Sequence, residues 1–201
     1  ANLPDIQSWS HESPKLYTVA LKLQHDGRFT EYTKVKIGFR DVSFDEKGLK
    51  INGRPVELRA VDYDCPPDAN AWRRDFAAFK KRGINCVRVK NYPQNDRFYE
   101  LADSYGLYIC NRANIDAPER SGDRTVGGTP SNGPACADEY LERVKAMYYR
   151  SRNFTCIVAY SLGGPSGNGY NMYKAYEWLK SVEKSRPVIC ADADGEWNSD
   201  L

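Results

Sequence analysis

The sequence has no apolar run near the roughly 20 residues that a membrane-spanning helix needs. Residues 1–10 lack the basic start and the apolar centre of a signal peptide. An excess of one charge is also missing, since 29 basic and 27 acidic residues leave a formal net charge of +2. We therefore expect a soluble chain with no membrane and no nucleic-acid partner. Its compartment is not assigned, because an exported parent protein would carry its signal peptide outside this chain.

Metal-binding and disulfide patterns are missing as well. The six cysteines include no Cys-x-x-Cys pair, so a structural zinc site is not expected. Their wide spacing does not suit a disulfide framework. Most fall within or at the end of apolar runs, which predicts buried free thiols. These are Cys86, Cys110, Cys156 and Cys190. No metal and no cofactor is predicted.

One loop lacks every side chain suited to acid–base or nucleophilic chemistry. Between Ser161 and Tyr170 there is no carboxylate, histidine or cysteine. The loop follows an apolar run and precedes a helical pattern, so it belongs to a strand–loop–helix unit. In sheets built from such units, ligands bind at the loops that follow the strands.

The N-terminal part of the chain has the pattern of antiparallel strands. Residues 16–23 and 32–37 alternate with period two around an Asp26-Gly27 turn, which predicts a β-hairpin. A hairpin with one further strand cannot bury a core alone, so residues 1–46 are interpreted as the last strands of a β-sandwich. A second turn is predicted at Asn52-Gly53.

From residue 47 the pattern changes to alternating strands and helices, which predicts an α/β fold with a parallel sheet. The predicted strands cover residues 56–62, 85–89, 107–110, 156–160 and 187–190. The predicted helices cover residues 71–82, 96–105, 135–150 and 170–182, with Gly83 and Gly106 closing the first two. Residues 117–134 are expected to form a loop, and residues 192–201 a polar tail.

Several short motifs occur in the order found in glycoside hydrolase family 2, which the chain therefore resembles. The motifs are Trp9-Ser10-x-Glu12-x-Pro14-x-Leu16-Tyr17, Gly38-Phe39-Arg40, Asn52-Gly53-Arg54-Pro55-Val56, Asn85-x-Val87-Arg88, Tyr92-Pro93, Phe98-Tyr99-x-Leu101-x-Asp103-x-Tyr105-Gly106-Leu107-Tyr108, Arg152-Asn153, Ser161-Leu162-Gly163 and Ser166-Gly167-x-Gly169. The resemblance implies the end of an immunoglobulin-like sandwich in residues 1–46. It implies strands one to five of a TIM (β/α)₈ barrel in residues 47–201.

The family's functional residues do not carry over. The resemblance implies Asn and the acid/base Glu after Ser-Leu-Gly, where this chain has Gly164 and Pro165. Neither residue can hold the proton that a leaving glycosidic oxygen needs. The further departures from the family pattern are Asp64-Cys65 for His-Glu, Asn91 for His, Asn111-Arg112 for Asp-Glu, and Asp116 and Pro118 for the Glu and His that often ligate magnesium. The nucleophilic Glu follows strand seven, beyond this chain.

The residues that remain as candidate ligand contacts are Asp64, Cys65, Arg88, Asn91, Tyr92, Asn111, Arg112 and Asp116. The candidate sugar-stacking faces are Tyr63, Trp72, Tyr160, Tyr170 and Trp178, although Tyr160 and Trp178 are expected to pack internally. Cys65 is interpreted as a plain thiol, because both histidines, His11 and His25, lie in the sandwich part.

Three hypotheses follow. The first is a non-catalytic carbohydrate-binding or scaffold module of a longer β-galactosidase-related protein. The second is part of an active glycosidase whose acid has moved to Asp64, Asp116 or Glu119. The third is a structural or interaction module that self-associates through the edges of its incomplete barrel. The expected partners are carbohydrate, the rest of the parent chain and further copies.

Overall fold

The computed structural model of the chain describes residues 5–92 and 95–200, apart from the side chain of Thr30. Three parts of the predictions lie outside the described residues. They are Pro93 of the Tyr92-Pro93 motif, residues 1–4 of the first predicted domain and residue 201 of the second. The strands of the described part are β1 (Tyr17–His25), β2 (Arg28–Ile37), β3 (Val42–Asp45), β4 (Gly48–Ile51), β5 (Arg54–Pro55), β6 (Ala60–Tyr63), β7 (Cys86–Val89), β8 (Tyr108–Arg112), β9 (Ile157–Ser161) and β10 (Val188–Ile189). The α-helices are α1 (Ala69–Lys81), α2 (Asp96–Tyr105), α3 (Ala137–Ser151) and α4 (Tyr170–Val182).

Strands β1 and β2 form the predicted antiparallel hairpin. Asp26 and Gly27 both have positive φ, as a two-residue type I′ turn requires. No other strand pairs with this sheet in the described part of the chain. Its apolar side chains are consequently left in solvent. They are Leu21, Leu23, Phe29, Tyr32 and Val35.

Strands β3, β4 and β5 form a second small antiparallel sheet. Asn52 and Gly53 make the predicted turn, again with positive φ at both positions. The predicted domain boundary after residue 46 falls in the short turn that joins β3 to β4. The boundary itself stays a prediction.

The remaining strands form one parallel sheet in the order β10-β9-β8-β7-β6, which confirms the predicted α/β arrangement. The strand β6 begins at Ala60, later than the predicted strand 56–62. The backbone of the residues before it bonds to the Asn85 side chain instead of to a neighbouring strand. The Asn85 amide donates to Glu57 O over 2.9 Å and accepts from Arg59 N over 2.8 Å.

Helix boundaries follow the capping residues. Helix α1 begins two residues before the prediction because the Asp68 carboxylate accepts from the N–H groups of Asn70 and Ala71. Helix α2 matches the prediction, and Gly106 ends it in the left-handed conformation. Helix α3 begins two residues late, because a 3₁₀ turn at Pro134–Cys136 precedes it. No helix in the described residues is long and apolar enough to cross a bilayer.

The core lies between the parallel sheet and its helices. Aromatic rings from α1, α2 and β6 pack together in it. The Phe98 ring packs edge to face with Trp72 and Phe76, and nearly parallel to Tyr63 at 6.4 Å. All six cysteines are free thiols, as predicted, and the four in the apolar runs are buried.

The N-terminal segment is joined to the amino ends of the parallel strands. The Trp9 indole donates to Asp103 O over 2.8 Å, and Gly38 N donates to the Thr155 hydroxyl over 2.9 Å. The Arg40 guanidinium donates to the carbonyls of Thr155 and Ile157. A Cβ on Gly38 would lie 2.6 Å from the Thr155 methyl group, so only glycine fits there. The motif residues Trp9, Gly38 and Arg40 therefore form a seam at the end of the sheet opposite the loops that follow its strands.

The residues after β10, which were predicted to form a polar tail, fold back along the outer edge of that strand. Asp200 N donates to Val188 O over 2.8 Å, and Val188 N donates to the Asp200 carboxylate over 2.7 Å. Cys190 N donates to the Ser199 hydroxyl over 3.1 Å. The backbone groups on this side of β10 are thus satisfied within the chain.

Candidate functional site

The predicted contact residues follow the carboxyl ends of neighbouring strands. Asp64 and Cys65 come after β6, Asn91 and Tyr92 after β7, and Arg112 ends β8. Because these strands are parallel, their carboxyl ends meet at one end of the sheet. The structure therefore brings these residues together, with the loop after β9 beside them.

Asn91 joins the first two of these loops. Its side-chain oxygen accepts from Cys65 N over 2.8 Å, and its amide nitrogen donates to Cys65 O over 3.3 Å. Burial, followed by the nearby Asp64 carboxylate, raises the pKa of the Cys65 thiol to about 12. The thiol is therefore protonated at neutral pH and is a poor nucleophile.

Arg112 holds the other loops. Its guanidinium donates to Lys90 O after β7, to Ile115 O after β8 over 3.3 Å, and to Gly164 O after β9. The Arg112 side chain is only 14% exposed, and its Nη2 lies 3.9 Å from the Asp116 carboxylate. A permanently charged, five-donor group thus occupies the space between three strand ends.

The loop after β9 presents backbone rather than ionisable side chains. Gly163 and Gly164 have φ of 111° and 108°, a region that L-residues rarely adopt. Gly164 N donates to Ile115 O over 2.9 Å. A Cβ on Gly164 would lie 2.9 Å from the Asp192 carboxylate, which accepts from Ser166 N over 2.7 Å. Glycine is therefore required at position 164 both by the nearby Asp192 side chain and by the positive φ.

Arg88 lies on the face of the sheet that the helices leave open. It pairs in register with Asp62 of β6, and Arg88 Nε lies 2.7 Å from the Asp62 carboxylate. Both side chains are more than half exposed, so the pair contributes at most about 1 kcal/mol to stability. Arg88 is thus accessible, but its charge is already matched.

Asn111 is separated from the other candidates, although it precedes Arg112 directly. Successive side chains of a strand point to opposite faces, and Asn111 faces the helices. It is fully buried and accepts from the Tyr99 hydroxyl over 3.0 Å, while its Nδ2 has no hydrogen-bond partner among the described residues. The Asn111 side chain therefore has no exposed surface for a ligand.

The other candidates are engaged at the surface. Tyr92 is half-buried, and its ring lies 5.9 Å from the Arg150 guanidinium. The exposed Asp64 carboxylate lies 3.4 Å from Lys90 Nζ. Asp116 is also exposed, and Glu119 lies on the exposed 3₁₀ turn Pro118–Arg120.

Of the aromatic residues considered for stacking, Tyr63, Trp72 and Tyr160 are buried and Trp178 is half-buried. Only Tyr170 of that set is exposed.

Cavities border two of the loops that follow the strands, and one of about 440 Å³ is lined by Tyr92, Asn114 and residues of α3. A cavity of about 250 Å³ lies beside Asp116, between the loop after β8 and α3. A larger one, about 520 Å³, lies between the β1–β2 hairpin and α2, where no candidate residue lines it. Ligand pockets usually measure about 300–1,000 Å³, a range that includes the cavity beside Tyr92 and excludes the one beside Asp116.

Two features of the site were missed from the sequence. Asp192 contacts the loop after β9, although it was assigned to a polar tail. Arg112 bonds to three loop carbonyls, and nothing in the residue pattern indicates that geometry. The positive φ at Gly163 and Gly164 has a sequence signal in the Gly-Gly pair itself.

Comparisons with known proteins agree with the fold and the motifs. The family model described as Glycosyl hydrolases family 2, TIM barrel domain, matches residues 44–200, and the model Glycosyl hydrolases family 2 matches residues 1–40. A β-galactosidase of Vibrio cholerae is 37% identical over 192 residues, which cover 90% of this chain and 18% of that protein. A β-galactosidase of Oenococcus oeni is 37% identical over 199 residues, with coverage of 93% and 18%. The chain thus spans about a fifth of the length of these relatives.

Solved structures share the fold. The β-galacturonidase of Eisenbergiella tayi, solved bound to galacturonate, superposes with a TM-score of 0.76 at 19% identity, over 94% of this chain and 34% of that one. The β-glucuronidase of Parabacteroides merdae superposes with a TM-score of 0.72 at 18% identity, over 92% and 25%. These matches confirm the predicted architecture of a sandwich end followed by part of a TIM barrel.

Proposed function

The chain belongs to glycoside hydrolase family 2, and from this membership we propose that it is a non-catalytic module, carbohydrate-binding or scaffolding, of a longer β-galactosidase-related protein. Its strand ends correspond to the end of a TIM barrel at which active sites lie.

The observation that carries the proposal is the contact between Arg112 and Gly164. Where the family pattern has the acid/base Glu, this chain has Pro165, and the preceding carbonyl accepts from the Arg112 guanidinium. A glycosidase acid must hold a proton at neutral pH, which requires a carboxyl of raised pKa. A neighbouring cation lowers a carboxyl pKa. The site therefore lacks the acid and holds a group that opposes one.

The proposal is tested with aryl β-galactosides, glucuronides and mannosides on three proteins: the natural chain, Pro165→Glu and the control Pro165→Ala. We expect no turnover above buffer from any of them, because a carboxyl next to Arg112 would be ionised. Calorimetry with the corresponding methyl glycosides then measures binding without hydrolysis. Turnover by the natural chain above buffer would refute the proposal.

A relocated acid is the competing function. Of the three candidates, Asp116 lies beside Arg112, at the loop after β8. Its carboxylate is exposed and lies 3.9 Å from Arg112 Nη2. If turnover is found, loss of activity in Asp116→Asn with retention in Asp64→Asn would support this alternative.

Self-association remains part of the proposal. The exposed apolar side chains of the β1–β2 hairpin and the edge position of β6 support it, whereas β10 is covered by residues 199 and 200. Sedimentation over a hundredfold range of concentration tests it. We expect the average mass to rise with concentration, and a constant monomer mass would contradict this expectation.

A further inference from the structure

The outer side of α1 carries lysine and arginine in two adjacent rows. Each row has the order cation, alanine, cation, because positions four residues apart on a helix lie one above the other. Trp72 and Phe76 lie on the opposite side of the helix and are buried. We call the four cations, all of them exposed, the α1 basic face: Arg73, Arg74, Lys81 and the C-cap residue Arg82.

The α1 basic face lacks carboxylate partners, in contrast to the other helices. Every lysine and arginine of α2, α3 and α4 lies within 4.0 Å of a carboxylate oxygen. They are Arg97, Arg143, Lys145, Arg150, Lys174 and Lys180. Among the described residues, no carboxylate lies that close to the four cations of α1. Asp75, the one acidic residue of α1, instead accepts from the Tyr63 hydroxyl over 2.6 Å.

Helix stability explains only half of this face. Cations in the last turn of a helix interact favourably with its dipole, which suits Lys81 and Arg82. Arg73 and Arg74 lie in the N-terminal half, where the dipole gives cations no support and the first turn has no acidic residue. Both arginines are exposed, so packing of the core does not require them either. Their four uncompensated neighbours in charge therefore suit contact with an anion from outside the described chain.

The side chains between the cations indicate what kind of anion fits. Ala77 and Ala78 are small, so a slender chain can lie along the helix between the two cation pairs. Protein interfaces depend on buried aromatic anchors, and single-stranded nucleic acids on aromatic stacking. None of the exposed large apolar side chains in the described residues belongs to α1. The face thus offers charge and hydrogen-bond donors alone.

We propose that the α1 basic face binds a sulfated polysaccharide. Its two cation pairs are eight residues apart, which is about 12 Å along the helix. Each pair can meet more than one negative group at once, and sulfated sugars present several such groups where a uronate sugar presents one. Three of the four cations are arginine, whose planar guanidinium binds anionic oxygens with two parallel hydrogen bonds. The site lies on a helix outside the sheet and does not depend on the function proposed for the strand ends.

A heparin oligosaccharide is the probe, with an oligogalacturonate of equal length and a neutral dextran as comparisons. Calorimetry measures binding to the natural chain and to the double variant Arg73→Gln with Lys81→Gln. Glutamine suits a helix about as well as the two residues that it replaces. The matched control is Lys34→Gln with Lys36→Gln, which removes the same charge from two exposed lysines of β2. Urea unfolding shows that the variants are folded.

We expect the heparin oligosaccharide to bind more tightly than the oligogalacturonate, and the dextran not to bind. The α1 double variant should weaken heparin binding by about tenfold, because it removes two of four ion contacts. It should also reduce the dependence of binding on salt, since fewer counterions are released. The β2 control should retain binding within about twofold. Arg73→Lys with Lys81→Arg, which keeps both charges, should also bind.

Four results would overturn the proposal. The first is no heparin binding at low salt. The second is an equal loss in the α1 and β2 double variants, which would assign binding to net charge rather than to this face. The third is equally tight binding of the oligogalacturonate, which would remove the preference for sulfate. The fourth is equally tight binding of a DNA duplex, which would assign the face to phosphate backbones.

Discussion

Replacing Arg112 with methionine should destabilise the whole barrel segment, because one guanidinium bridges the loops after β7, β8 and β9. Methionine keeps the length and apolar stem of the side chain but removes every donor. The carbonyls of Lys90, Ile115 and Gly164 would then lose a charged partner.

The size of the stability loss in Arg112→Met follows from those contacts. A hydrogen bond to a charged group contributes about 1.5–3 kcal/mol net. Two of the three bonds are close and one is long at 3.3 Å. Because the freed carbonyls lie at loop ends that water can reach, we expect a total loss of about 3 kcal/mol rather than the full sum. In a domain of this size, such a loss lowers the melting temperature by about 6–12 °C. Arg112→Lys should lose about half as much, since an ammonium group cannot span three acceptors.

Urea unfolding followed by circular dichroism measures this loss, and Arg97→Met provides the matched control. Arg97 is exposed and pairs only with Glu100 on its own helix turn among the contacts described, so its loss should cost less than about 0.5 kcal/mol. An Arg112→Met protein within about 0.5 kcal/mol of the natural chain would refute the bridging role, given the value expected from its hydrogen bonds.

Two further predictions concern the loop after β9 and a buried carboxyl. Gly164→Ala should lose about 1–3 kcal/mol in urea unfolding, from its positive φ and the close Asp192 carboxylate, whereas Gly122→Ala, with open space around it, should be near neutral. Burial raises the pKa of Asp103 from 3.8 to about 6, so the folded chain binds this proton more tightly than the unfolded chain. The contribution of Asp103 to stability should therefore fall by about 3 kcal/mol as pH rises from about 3 to about 7. Asp103→Asn should abolish that part of the slope, and an unchanged slope in the variant would contradict the assignment.

Secondary structure was predictable where local chemistry decides it. Helix α2 was predicted in full because Gly106 ends it in a conformation that favours glycine. The start of α1 was missed although Asp68 is a typical N-cap residue. The start of β6 was not predictable, since the Asn85 side chain that replaces its partner comes from a distant part of the chain.

The candidate site was predictable in composition but not in geometry. The loop after β9 has no ionisable side chain, and that was evident from the residues alone. Asn111 and Arg112 were both expected to contact a ligand, yet strand alternation places them on opposite faces. That Arg112 meets three carbonyls depends on how three strands pair in register, and this arrangement has no local signal in the sequence.

The seam formed by Trp9, Gly38 and Arg40 has a practical consequence for engineering. It anchors the N-terminal segment to residues at the amino ends of the strands, far from the strand-end loops. Loops grafted onto the opposite end would therefore not need a redesigned anchor. The chain offers a scaffold in which new binding surfaces can be exchanged at one end while the other end supplies the rigidity.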